Sequence, residues 1–368
     1  MYRIKEQDLR VGEPLTFDCY DISGILLLKK GIIINSQRQL DALIERGLFA
    51  SASPSPEKQI EPTHEKKNTP FDTLDGFKNR LKNIYASLGQ SQQNDFESRI
   101  IKLIQDIQGI CEQDANAALG ALHLDHTGRY TIIHPLHVAL LSELIGKRQA
   151  LSMEERTLTL AAALTANISI IDLQEELQKQ TTPLTPEQQD QIHKHPTHAA
   201  EMLRSLGINH DLWLKTVQHH HEKLDGSGYP GALQNEEIPM SVRIISLADC
   251  YSAMVTPRVY RNAIMAKDAL KDIFLKRGSE TDAHLAQVFI KELGIFPPGA
   301  WVKLANGEVG IVTHRASKTP IVKSIIGPRG APLQKCIRRD SANPEFEIRE
   351  MVQPDRSLPL NIESLWDY

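Results

Sequence analysis

Apolar residues recur three and four positions apart through the middle of the chain, with Ile100, Leu103, Ile104, Ile107 and Ile110 continuing one stripe from Phe96. Similar patterns run with few strand signals to about Leu293, so this region is predicted to be mainly α. Past Pro297 the period changes. Trp301, Val302 and Leu304 lead into Asn306-Gly307, and Val309, Ile311 and Val312 follow, which predicts a β-hairpin. Runs at Ile321 to Ile326 and Phe346 to Val352 extend it into a small β module. Near the start, Thr16 to Tyr20 and Ile25 to Lys30 flank Gly24, and Ile32 to Ile34 follows Gly31. Ser36 and Gln39 then have capping-box spacing ahead of Leu40, Leu43 and Ile44, with Gly47 as a stop. The expected organisation is a β-plus-helix unit over 1–50, a helical domain over 73–295 and a β module with a tail over 296–368. Residues 51–72 are rich in Ser, Pro and charge and bury too little apolar surface to offset ordering entropy, so they are expected to be a flexible linker.

Composition narrows the partners. The 368 residues carry a net charge of −4 with both signs scattered, which excludes the continuous basic surface a nucleic acid polymer requires. A small phosphorylated ligand stays open. Cys19, Cys111, Cys250 and Cys336 lie far apart without metal-type spacing, as expected of reduced thiols in a cytoplasmic protein. The opening MYRIKEQDLRVGEP lacks the basic end and apolar core of a secretory signal. The most apolar stretch, Leu158 to Leu173, is interrupted by Thr159, Thr165, Asn167, Ser169 and Asp172, and reads as buried core, not as a membrane span.

Three places could carry chemistry. Thr185, Pro186 and Gln188 predict a capped helix whose apolar stripe, Ile192, Ala199 and Leu203, also holds His195. Alone, such a histidine is more often a hydrogen-bonded core residue than a ligand. His220 and His221 extend the buried face of Val217 and then meet a turn at Gly226 and Gly228. Neighbouring His219 has no such constraint. Asp249 lies among Val242, Ile245, Leu247, Ala248 and Ala253, where an unpaired charge is costly. A metal ion would satisfy it, and so would Arg243, Arg258 or Arg261.

The run HHEKLDGSGYP, His220 to Pro230, closely resembles the signature of the HD-GYP family, a bacterial branch of the HD phosphohydrolases that cleaves cyclic di-GMP. YTIIHPLHVA from Tyr130, HPTHAAEML from His195 and LADCYSAMVTPRVYR from Leu247 resemble the family's histidine and aspartate helices. The family-like core spans about 130–262, with likeness to about 305. FPPGAWVKLANGEVGIV resembles a tail often found after this domain, and the amino-terminal unit one that precedes some members. The resemblance implies a helical HD-type bundle in which His134, His195, His220, His221 and Asp249 are metal ligands. It also implies that Lys223, Asp225, Gly226, Gly228, Tyr229, Pro230, Arg258 and Arg261 form a loop and rim for substrate or partners.

Two expected ligands are missing. Relatives carry a His-Asp pair followed by a lysine, and here Thr165, Ala166 and Ser169 stand at those positions, 31 residues after His134 and 30 before His195. The lost aspartate bridges both ions in the family. Grouping the survivors puts His134 with Asp249 and leaves His195, His220 and His221 as a site for a single divalent ion, Fe, Mn or Zn, or for none. Asp172 and Asn167 are the nearest substitutes. The expectation is therefore an impaired or non-catalytic protein of cyclic di-GMP signalling, a ligand receptor or interaction module. Cyclic di-GMP, diguanylate cyclase (GGDEF-type) domains and a second copy of the chain are its candidate partners. The competing expectations are a working phosphodiesterase with an altered metal centre, and a fold retained with its histidines reused as core residues.

Overall fold

The computed structural model describes residues 2–3, 9, 15, 17–21, 26–32, 49–50, 69–89, 95–258, 263–315, 319–355, 358 and 360–368. The chain divides into two compact units, Met1–Lys67 and Asn68–Tyr368. In the first, β1 (Tyr2–Arg3), β2 (Cys19–Tyr20), β3 (Leu26–Leu28) and β4 (Phe49–Ala50) pair in the order β1-β4-β2-β3. All the pairings are antiparallel. β2 and β3 fall within the two predicted runs on either side of Gly24. The helix expected from Ser36 to Gly47 and most of the linker lie outside the described residues.

The second unit opens on α1 (Pro70–Ala86), whose first turn is fixed by a capping box between Thr69 and Asp72. Pro70, Phe71 and Asp72 therefore belong to the helical unit, ahead of the expected boundary at 73. There follow α2 (Phe96–Gln113), α3 (Ala115–Leu124), α4 (Tyr130–Arg148), α5 (Met153–Thr165) and, after a 3-10 turn (Ile168–Ile170), α6 (Ile171–Leu177). The bundle is completed by α7 (Pro186–Ser205), α8 (Asp211–His219), α9 (Met240–Val255), α10 (Ala266–Lys276) and α11 (Ala283–Leu293). Helix α4 is buried on all sides from Thr131 to Gly146, which is why its sequence shows no polar face. It packs on α5 and α9, while α8 packs on α5 and α7. Met153–Leu177 is long and apolar enough to cross a membrane by length and composition. Here it is broken by the 3-10 turn, and Thr159 to Ala166 are buried by the bundle, as expected of core.

After α11 the chain forms an antiparallel sheet of β5 (Trp301–Leu304), β6 (Val309–His314), β7 (Ile321–Ile326), β8 (Pro332–Asp340) and β9 (Ile348–Met351), in the order β8-β7-β6-β5-β9. The Asn306-Gly307 turn joins β5 to β6 with Gly307 at φ 88°. Strand β8 had no clear signal, because as a solvent-facing edge it alternates few apolar residues. Val302, Leu304, Val312, Val322 and Met351 share one core with the helices, so the boundary expected at 295/296 does not separate two cores. The short α12 (Ile362–Leu365) brings Trp366 over Gly120 of α3 and edge-on to Phe71, 5.2 Å between ring centroids. Cys19, Cys111, Cys250 and Cys336 are all free thiols.

Candidate metal and ligand site

His134 on α4, His195 on α7, Asp249 on α9 and His221 just beyond α8 line a cavity of about 520 Å³. His220 is buried beside them, its ring 5.1 Å from that of His195 and 4.1 Å from that of His221. Chain-local rules fix how these rings point. Pro196 has no N–H, so the Ile192 carbonyl four residues back is left without its helical donor. His195 Nδ1 donates to that oxygen at 2.5 Å. His220 Nδ1 donates to the Val217 carbonyl, near the end of α8, at 2.6 Å.

These two bonds decide the tautomers. A carbonyl only accepts, so both protons sit on Nδ1 and both Nε2 atoms carry lone pairs. The two Nε2 atoms nevertheless face each other at 3.3 Å. No proton bridges them while both rings are neutral, and both rings are held neutral. Burial, then the proximity of His220, pushes His195 down to about 3, and burial lowers His220 as well. His221 is also driven well below its usual value, by burial first and then by His220. Ligand nitrogens of His195, His220 and His221 all lie within 4.8 Å of one another. Two nitrogens about 2.05 Å from a tetrahedral zinc stand roughly 3.3 Å apart. The triad therefore fits a cation, and the outer nitrogens of His195 and His220 are anchored on backbone carbonyls as metal-bound histidines usually are.

The other grouping is different. His134 Nε2 lies 2.7 Å from Asp249 Oδ1, and because a carboxylate only accepts, the proton of that bond is on Nε2. Ser252 Oγ meets His134 Nδ1 at 3.1 Å. Ser, His and Asp thus stand in line, yet Ser252 is completely buried and offers no reactive oxygen to the cavity. Burial raises the Asp249 carboxyl, but adjacent His134 outweighs it and holds the group well below the usual carboxylate range. Of the cationic partners weighed for Asp249, Arg243 is committed to Asp282 and Glu236, and Arg258 donates to Tyr130 Oη at 2.9 Å. Arg261 lies outside the described residues. Tyr130 in turn stacks on His134, 4.8 Å between centroids.

The sequence model of the HD domain family matches residues 97–285, just over half of the chain. The chain belongs to the HD domain family. Its resemblance to the HD-GYP branch holds as well. The cyclic di-GMP phosphodiesterase PA4108 of Pseudomonas aeruginosa is 28% identical over 272 residues, covering 72% of this chain and 63% of the relative. A 3'3'-cGAMP-specific phosphodiesterase 3 of Vibrio cholerae is 28% identical over 174 residues, 47% of this chain and 38% of that protein. The chain thus spans less than two thirds of the length of these relatives. Among solved structures, Bd1817, an HDG"Y"P protein from Bdellovibrio bacteriovorus, superposes with a TM-score of 0.53 over 78% of this chain and 98% of its own. At 14% identity this supports the helical HD fold.

In this HD chain the three residues at 165, 166 and 169 are built into the fold. Thr165, fully buried, donates to the Ala161 carbonyl and accepts from Trp213 Nε1 at 2.8 Å. Ala166 is buried, and Ser169 Oγ donates to the His195 carbonyl at 2.9 Å. Asp172 is exposed and joins neither group, while Asn167 lines the cavity. His219 turns to Glu222 at 3.4 Å.

The HD-GYP loop is shaped by a residue that sequence reasoning passed over. Buried Glu222 accepts from Gly231 N at 2.5 Å and Leu233 N at 3.0 Å, tying the loop back on itself. Its place directly after the histidine pair was the available signal. Asp225 caps the turn through Ser227, and Gly226 adopts φ 77°. Gly228 does not take positive φ. Its reason is space, because a Cβ there would come within 2.5 Å of the Glu222 and Lys223 backbone. Tyr229 stacks on His221 at 4.8 Å and on His193 at 4.7 Å, ahead of Pro230. Lys223 pairs with Glu280 at 2.8 Å and is absent from the cavity lining, whereas Tyr229 and Arg258 belong to it.

Proposed function

We propose that this chain acts in cytoplasmic cyclic di-GMP signalling as a ligand receptor or interaction module, with a metal centre reduced to one ion at most and phosphodiesterase turnover impaired or absent. One observation carries the reading. Where the family pattern calls for a histidine and a bridging aspartate, Thr165 gives its oxygen to Trp213 and Ala166 has none to give. The His134-Asp249 half is closed on itself, and Ser169, bound to the His195 carbonyl, brings no cation to a phosphate. What remains is the triad of His195, His220 and His221. Arg258 and Tyr130 at the cavity, with the intact loop at Tyr229, supply surfaces for a phosphorylated ligand and for diguanylate cyclase domains.

A second reading is favoured by the fit of the triad to a tetrahedral ion. A zinc-type ion held by three histidines with an open position supplies a bound water acidic near neutral pH. In that case His195, His220 and His221 bind, the Ile192 and Val217 carbonyls orient, and the chain is an active phosphodiesterase with an altered centre. Metal analysis of the purified chain, together with mass spectrometry for pGpG or GMP after incubation with cyclic di-GMP and Mn, Fe or Zn, separates the two. The leading reading expects no more than one ion per chain and little or no product. Two tightly held ions, or full conversion of cyclic di-GMP in the time a competent phosphodiesterase needs for a few turnovers, abolished by His195→Ala, would overturn it. The triple change Thr165→His, Ala166→Asp, Ser169→Lys is expected to raise activity on an otherwise competent scaffold.

A further inference from the structure

The three rings of the triad are not held alike. His195 and His220 are each fixed by a hydrogen bond from Nδ1 to a backbone carbonyl. His221 makes no side-chain hydrogen bond among the described residues, and its contacts there are with other rings. An imidazole without such a bond is free to turn about the broad torsion that carries its ring. A ligand that must be ordered when the ion arrives binds that ion less tightly than one already in place.

A column of rings supplies the missing order. His221 lies against His220, 4.1 Å between centroids, and against Tyr229 at 4.8 Å with the two planes 29° apart. Tyr229 lies in turn against His193 at 4.7 Å and 18°. Two rings stacked this closely on one phenol ring take its two faces, so Tyr229 offers no open face to the ring of a bound ligand. The column thus runs from buried His220 to His193 on the exposed side of α7, two residues before His195. Its middle member is placed by the loop. Tyr229 N donates to the His221 carbonyl at 3.3 Å, and Glu222 ties down the backbone that follows at Gly231 and Leu233. The Tyr229 hydroxyl makes no hydrogen bond among the described residues, which leaves the ring as the part that acts. We infer that Tyr229 and His193 are positioning residues for the third ligand, holding the His221 ring in the orientation that meets the ion. This rests on the reading of the triad as a single-ion site.

Titration of the metal-stripped full chain with zinc tests it. Tyr229→Leu keeps apolar bulk in the loop but offers no flat face, and is expected to raise the zinc Kd about tenfold, the lower end of the loss when support behind a metal-bound histidine is removed. His193→Leu should raise it about threefold, the effect of one stacked pair. Tyr229→Phe and His193→Phe keep a flat ring in the column and should keep the affinity of the unaltered chain. A role confined to loop stability would instead lower the melting temperature of the metal-free leucine variants and leave their zinc Kd unchanged. An unchanged Kd in either leucine variant, or Tyr229→Phe binding as weakly as Tyr229→Leu, would overturn the inference while leaving the triad reading intact. An unaltered chain that takes up no zinc would overturn the triad reading, and the inference with it.

Discussion

Two imidazoles with lone pairs turned toward each other at 3.3 Å share no proton here because burial disfavours the charged form of both rings. Acid therefore acts on this site through linkage. The unfolded chain titrates its histidines near the ordinary value of 6.5, whereas folded His195 stays neutral to about 3 and His123, on α3 with its ring against the Pro298 carbonyl, to about 4. Between those values the unfolded state binds more protons, so stability is complete above about pH 6.5 and is lost as pH falls through the window. Asp249, with its depressed carboxyl, adds a loss only below its ordinary 3.8. Thermal melts of metal-stripped protein are expected to be flat just above pH 6.5 and to fall steadily toward pH 4, with His195→Gln reducing the slope. A melting temperature independent of pH across this range would show that the rings are solvated and not held neutral. The candidate ligands at this scale were legible in the sequence because their motif is contiguous: His220 and His221 announce each other, and His195 shares a stripe with Ala199 and Leu203. Their tautomers were not legible, since they depend on which carbonyl each ring reaches.

Between elements, the replaced ligand position is held by a bond across 48 residues, from Trp213 on α8 to Thr165 at the end of α5. No local period encodes such a contact, and Thr165 in the sequence reads only as a missing histidine. The structure makes it a structural acceptor. Thr165→Ala is expected to leave the indole N–H unpaired in the core and to lower stability by about 1–3 kcal/mol. Trp213→Phe alone gives up the same bond without burying an orphan donor. Adding Thr165→Ala to it should then cost about 1 kcal/mol or less, a non-additivity that a double-mutant cycle by chemical denaturation measures directly. Strict additivity would mean that the bond contributes nothing and that the position is free to take back a ligand. The same reasoning explains the element read poorly, β8, which has few apolar residues because it is an exposed edge.

At the scale of the whole second unit, the sheet that the sequence presents as an appendage is joined to the helices by a common core. The joint is closest where the end of the chain returns to its first helix. Trp366 lies over Gly120, where no side chain fits, and against Phe71 on α1, while Tyr368 reaches Asp114 at 2.7 Å. A tail attached only at its base could be cut without consequence for α1 and α3. This one cannot. Trp366→Ala removes a large buried ring and is expected to cost about 3–5 kcal/mol, the range for a buried aromatic truncated to alanine. Because one core spans both parts, helical circular dichroism and the fluorescence of Trp301 in the sheet should lose their signals in a single coincident transition, shifted together in the variant. If the sheet instead melted separately, with helicity unchanged at the first transition, the helices would be an autonomous domain. The cavity would then be positioned by the bundle alone, with no contribution from the sheet behind it.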